Sequence, residues 1–125
     1  LELIRPWKSL HKKYIKFLNV NTNNGLKWKK KTGIHFAFLD AHHDYEPLRN
    51  EINFVKKYQK KKDIIICDDY TKYYKNHMNF KVNDIQFPGV NKCIDEFTEK
   101  KNYKRMDYYG DDGVKNRGYI FFEKQ

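Results

Sequence analysis

The sequence lacks the features that mark membrane and disulfide-bonded proteins. No apolar run approaches the roughly 18 residues of a transmembrane helix, and no signal peptide is visible. There are two cysteines, Cys67 and Cys93, and they lie in apolar stretches without the spacing of a zinc site. We therefore predict buried free thiols, no membrane partner and a reducing, cytoplasmic compartment.

Acidic residues are scarce in the first third of the chain. Residues 1–33 hold nine Lys or Arg and one acid, Glu2, whereas residues 34–125 hold seventeen Lys or Arg against fifteen acids. A basic arm of this kind suggests nucleic acid or an acidic surface as a partner. Lysine outnumbers arginine twenty-two to four, however, as expected of AT-rich coding DNA, so we favour a solvated basic face.

Two short apolar runs each lead into acidic residues. Ile34–Leu39 is followed by Asp40, and Ile64–Cys67 is followed by Asp68 and Asp69. Both runs predict parallel strands, and the near-continuous apolar character of Ile34–Leu39 predicts a strand that is covered on both faces. Because only one helix-length segment separates them, the two strands should be neighbours. We therefore expect the three carboxylates to converge at one rim of the sheet.

The remaining elements complete an α/β pattern. Pro47 suits the first turn of the helix between the two strands, with Asp44 as the candidate cap. Apolar spacing predicts another helix over Val90–Lys101. Tyr103–Tyr109 and Gly118–Glu123 predict a terminal antiparallel hairpin.

The converging acids suggest a metal-binding or catalytic site, although purely structural roles for the same residues stay open. Three neighbouring carboxylates repel one another unless a cation lies among them, and hard oxygen ligands suit Mg²⁺, with Mn²⁺ or Ca²⁺ as alternatives. Acids at strand ends can equally just cap the following turns. His43 comes three residues after Asp40, so it could serve as a general base or contact a substrate. It could also be an ordinary surface histidine.

The stretch FLDAHHDYEPLRNEI resembles the strand-four motif of class I S-adenosylmethionine-dependent methyltransferases. The similarity is to the small-molecule O-methyltransferase group that includes macrocin O-methyltransferase. Asp40, His43, Tyr45 and Glu46 match its D-G-x-H-x-Y-E pattern, and Ala41 replaces the glycine. IIICDDY resembles strand five, FPGVNKCIDEF resembles the segment after it, and the hairpin resembles strands six and seven.

The resemblance covers about residues 15–125 and implies a Rossmann-like methyltransferase sheet. This chain would supply the later strands, which are parallel and end in an antiparallel hairpin. The family implies S-adenosylmethionine as cofactor, with Mg²⁺ bound by Asp40, Asp68 and Asp69. The metal would hold a hydroxyl of a sugar or another small polar metabolite and lower its pKa. Asp40 or His43 would then take the proton.

Glycine is too sparse for the glycine-rich cofactor loop of that family. The six glycines are scattered at positions 25, 33, 89, 110, 113 and 118. The expected cofactor contacts are therefore limited to Asn21, Asp40 and Ala41. We expect residues 1–125 to be a single partial domain that lacks the N-terminal cofactor half and is inactive alone. A first residue of Leu1 rather than Met fits a fragment or a processed product.

Two other functional classes compete with the methyltransferase interpretation. Acids at strand ends also take part in binding nucleotide sugars and phosphates, so one alternative is a metal-dependent glycosyltransferase or phosphoesterase. The other is a basic nucleic-acid-binding module, which would use the first third of the chain. Of the partners, a small-molecule hydroxyl substrate is favoured over nucleic acid, and homo-oligomerisation stays open.

Overall fold

The structure, a computed structural model, describes residues 32–40, 43–72, 85–109 and 117–125. These ranges contain four strands and two helices in a mixed α/β order. In chain order they are β1 (Phe36–Leu39), α1 (Tyr45–Lys56), β2 (Ile64–Thr71), α2 (Pro88–Thr98), β3 (Tyr103–Tyr108) and β4 (Arg117–Lys124). No helix within these ranges is long and apolar enough to cross a membrane.

The four strands form one sheet in the order β1-β2-β4-β3. β1 and β2 are parallel neighbours, with Phe36 opposite Ile64 and Leu39 opposite Cys67. A parallel pair needs a crossover connection, and α1 is the helix that supplies it. β4 pairs antiparallel with both β2 and β3. The predicted strand–helix–strand unit and the terminal hairpin are therefore both confirmed.

The core lies between the two helices and one face of the sheet. Both helices turn an apolar stripe inward, as the periodicity predicts. The buried apolar residues are Leu48, Ile52 and Val55 of α1, Ile65, Cys67 and Tyr70 of β2, Val90, Cys93, Ile94 and Phe97 of α2, and Tyr103, Ile120 and Phe122 of the hairpin. Both thiols are free and buried, which confirms that prediction.

Strand β1 is not covered on both faces by the described residues, so that prediction is wrong for them. Ala37 and Leu39 pack against the core, but Phe36 and Phe38 are 59% and 49% exposed. Successive side chains of a strand point to opposite faces, and both helices pack on the same side of this sheet. An apolar run therefore marked a strand correctly without showing that both of its faces are buried.

Both helices begin close to a proline. α1 begins at Tyr45, so that Pro47 lies in its first turn, and α2 begins at Pro88. Asp44 occupies the N-cap position of α1, but its side chain makes no capping hydrogen bond. The backbone carbonyl of Asp44 instead accepts the N–H of Leu48 at 3.4 Å. The cap prediction is thus right in position and wrong in mechanism.

The start of α2 packs tightly against the loop before α1 at Gly89. A Cβ atom at this position would lie 2.7 Å from the backbone nitrogen of Tyr45 and 3.0 Å from the carbonyl oxygen of His43. Because these are backbone atoms, they cannot move aside as a flexible side chain would. Gly89 therefore allows the close approach of the two segments.

Replacing the buried ring of Phe122 tests the assignment of the core. Phe122→Ala should lower the free energy of unfolding by about 3–5 kcal/mol, since the fully buried ring packs edge-on against Phe97 at 4.6 Å. Phe36→Ala removes the same ring from an exposed position and should cost only about 0.5 kcal/mol. Urea denaturation followed by circular dichroism measures both changes. Equal losses would show that the core is misassigned.

A methyl group at Gly89 should separate the two helix starts. Gly89→Ala should destabilise the protein by about 1–3 kcal/mol through overpacking, although alanine is the better helix former. Asn50→Ala, at an exposed position of α1, is the control and should stay within about 0.5 kcal/mol of the parent. The same denaturation measurement applies. A Gly89→Ala variant more stable than the parent would refute the close packing.

Candidate functional site

Strand β2 continues through its acidic residues instead of ending at Cys67. Its register with β4 shifts between Cys67 and Tyr70, and two residues, Asp68 and Asp69, face a single residue of β4. This arrangement is a β-bulge. Asp69 has a φ of 63°, in the left-handed region that residues other than glycine rarely adopt. The prediction that both acids follow the end of the strand is therefore wrong.

Three side chains come together where β1 ends beside this bulge. Asp40, His43 and Asp69 each offer one ligand-type atom, and these atoms lie within 4.8 Å of one another. The shortest contact joins Nε2 of His43 to Oδ2 of Asp69, at 2.6 Å. The Asp69 side chain is 3% exposed, the His43 side chain is 47% exposed, and Asp40 is exposed. The group is thus anchored in the protein and open on one side.

Asp68 is not a member of this group. Its Oδ1 accepts the backbone N–H of Asp69 at 2.6 Å. β1 ends at Leu39, opposite Cys67, whereas β2 continues to Thr71, so the acids Asp40 and Asp68 follow paired residues but the two strands do not end in line. The bulge nevertheless brings Asp69, not Asp68, to Asp40 and His43. Metal binding by any of these acids stays a prediction.

Two of the predicted cofactor contacts, Asn21 and Ala41, lie outside the described residues. The third, Asp40, lies in the group with His43 and Asp69. Its position at the end of a parallel strand is where α/β sheets bind ligands. Cofactor binding at these three residues stays a prediction.

Two residues at the start of α2, which the sequence analysis did not single out, make contacts near the group: Phe87, directly before the helix, contacts His43, and Asn91 contacts Thr71, two residues after Asp69. The ring of Phe87 stacks on the imidazole of His43, with centroids 4.0 Å apart and planes inclined by 23°. The buried amide of Asn91 accepts the N–H of Thr71 at 3.0 Å and donates to its carbonyl at 2.8 Å. A clue was present for Asn91, since it interrupts the apolar stripe of a helix and a buried amide needs partners.

Two nearby tyrosines are bound to carboxylates of α2. The hydroxyl of Tyr45 donates to Glu96 at 2.5 Å, and this bond, with some burial, raises the pKa of Tyr45. Burial raises the pKa of Tyr70 too, and its hydroxyl donates to Asp95 at 2.8 Å. Both phenols are therefore neutral hydrogen-bond donors near pH 7.

Comparison with known proteins finds similarity at the level of structure. The sequence matches no family model and no curated protein. A putative O-methyltransferase from Klebsiella pneumoniae superposes with a TM-score of 0.57 and 14% identity, over 78% of this chain and 43% of that one. An O-methyltransferase from Bacillus cereus, in complex with SAH, superposes with a TM-score of 0.57 and 16% identity, over 96% of this chain and 47% of that one.

The chain thus spans less than half the length of these two structures. At such low identity the likeness concerns the fold alone. Within its described residues, this chain contributes a parallel strand pair joined by a helix and an antiparallel hairpin that completes the sheet. This chain therefore has a class I S-adenosylmethionine-dependent O-methyltransferase-like fold, of which it spans a part.

Proposed function

We propose that these residues belong to an O-methyltransferase that uses S-adenosylmethionine. The methyl acceptor would be a hydroxyl of a sugar or another small polar metabolite. The group of Asp40, His43 and Asp69 carries this proposal, because it lies where β1 ends beside the bulge of β2, in a fold shared with O-methyltransferases. Ligands of open α/β sheets bind beyond the carboxyl ends of the strands.

His43 would be the proton acceptor. Its Nε2 faces the buried carboxylate of Asp69, so Asp69 orients the ring. Phe87 stacks on the imidazole and limits its rotation. The other ring nitrogen, Nδ1, would then receive the proton of the substrate hydroxyl, and the oxygen would take the methyl group from the sulfur of S-adenosylmethionine, leaving S-adenosylhomocysteine. The exposure of His43 leaves room for a small substrate.

A divalent cation fits the same group. Asp40 and Asp69 would provide hard oxygen ligands of the kind that Mg²⁺ and Mn²⁺ prefer. Because Asp40 is exposed, water or a substrate hydroxyl could complete the coordination. The bound cation would lower the pKa of a substrate hydroxyl. Asp68 would contribute indirectly, by accepting the N–H of Asp69.

The cofactor cradle is not found in this sequence. The six glycines are scattered along the sequence, so it contains no glycine-rich segment of the kind that cradles the cofactor. In this proposal the loop lies in a longer protein, and the 125 residues alone do not catalyse methyl transfer. Asn21, Asp40 and Ala41 remain the proposed cofactor contacts within the chain.

Removing a carboxylate from the group should weaken cation binding. Asp40→Asn and Asp69→Asn should each raise the Kd for Mn²⁺ by about tenfold or more. Glu46→Gln is the matched control, because it removes the same charge from an exposed acid paired with Arg49. That variant should change the Kd by about twofold at most. Isothermal titration calorimetry measures all three values.

Equal weakening in all three variants would mean that Mn²⁺ binds by general surface charge. Asp68→Asn distinguishes the two arrangements of the acids. A loss as large as that of Asp69→Asn would make Asp68 a ligand, as the sequence analysis predicts. A smaller loss would agree with its hydrogen bond to the amide of Asp69.

The activity itself is tested in a longer protein that contains a glycine-rich loop upstream of this chain. His43→Gln should lower kcat by about 10²–10⁴-fold and leave the affinity for S-adenosylhomocysteine unchanged. His35→Gln is the control. His35 lies directly before β1, is exposed and, like His43, is paired with an aspartate, in this case Asp63. Release of S-adenosylhomocysteine measures turnover. Binding of nucleoside diphosphates in place of S-adenosylhomocysteine would favour the glycosyltransferase alternative.

A further inference from the structure

We infer that the first turn of α2 positions the pair His43 and Asp69, and that Asn91 and Phe87 are its positioning residues. The pair joins two segments that are distant in sequence: the loop before α1 and the bulge of β2. α2 contacts both segments. The inference rests on the proposed function only where it treats His43 as the proton acceptor.

On the strand side, Asn91 holds the residues that follow the bulge. Asn91 is 3% exposed, and its amide bonds both backbone groups of Thr71, two residues after Asp69. Thr71 Oγ1 also accepts the N–H of Gln86 at 3.4 Å, just before α2. A positive φ at a residue such as Asp69 persists only where the surroundings enforce it. The Asn91 amide is the part of α2 that bonds the backbone at the exit from the bulge.

On the loop side, Phe87 and Gly89 hold His43. The Phe87 ring stacks on the imidazole, and the backbone of Gly89 lies close to the carbonyl of His43. The N–H of Asn91 donates to the carbonyl of Phe87 at 3.2 Å, so the two positioning residues share one helical turn. A displacement of this turn would move both members of the pair. The contact of 2.6 Å between them thus depends on where α2 begins.

A positioning role and a purely structural role of Asn91 differ in their effect on the interaction between His43 and Asp69. A buried amide that only stabilises the fold would lower the free energy of unfolding and leave the interaction between His43 and Asp69 unchanged. A positioning amide would weaken that interaction as well. A double-mutant cycle separates the two effects, because it isolates the pairwise coupling.

The cycle uses His43→Gln, Asp69→Asn and the double variant of the full chain, measured by urea denaturation without divalent cations. In the parent, the two changes should be coupled by about tenfold in the unfolding equilibrium constant. In an Asn91→Ala background the coupling should fall to about twofold or less. Phe87→Leu should reduce it similarly, and this partly buried position keeps the test available if Asn91→Ala does not fold.

Gln59→Ala is the matched control background. Gln59 is also a buried amide, 6% exposed, and it donates to the carbonyl of Ile64 at the start of β2 at 3.1 Å. This variant should lower stability and leave the coupling at the parent value. An unchanged coupling in the Asn91→Ala and Phe87→Leu backgrounds would overturn the inference, as would its absence in the parent. Since no turnover is measured, neither result depends on methyltransferase activity.

Discussion

The β-bulge at Asp68 and Asp69 is the constraint on which the candidate site depends. In an unbroken strand these neighbouring side chains would point to opposite faces of the sheet. The extra residue and the left-handed φ of Asp69 change the direction in which the Asp69 side chain points. Its Oδ2 therefore lies 2.6 Å from Nε2 of His43. Bulges often re-aim a side chain next to a functional site. Here the bulge joins a buried anchor to a partly exposed histidine.

The strained strand is supported by the helix that packs beside it. Asn91 satisfies both backbone groups of Thr71, and Gly89 lets the same helix lie against the loop that carries His43. The core beside these contacts is formed by the buried apolar residues of the two helices and the sheet. Stability and site geometry are thus separated along α2, since its apolar residues bury surface while its first turn contacts the site.

The two faces of the sheet differ, since the helices cover one and the other is exposed at β1, and this difference limits where a substrate could bind. Both helices pack on the side of Ala37 and Leu39, which leaves Phe36 and Phe38 exposed on the other side. The group of Asp40, His43 and Asp69 lies where β1 ends beside the bulge of β2, and its His43 and Asp40 are open to solvent. A substrate could therefore reach it from solvent without disturbing the core.

The amino-acid sequence by itself determined the strand–helix–strand unit, the neighbouring parallel strands, the hairpin and the buried thiols. These features follow from apolar periodicity and segment length, which any stretch of chain carries locally. The tertiary structure alone decided that Asp69 rather than Asp68 meets Asp40 and His43, and that Phe36 and Phe38 are exposed. A bulge arises from the pairing of β2 with β4, and the exposure of a strand face depends on which elements pack against it. Both depend on contacts between distant segments, so no local pattern in the sequence could reveal them.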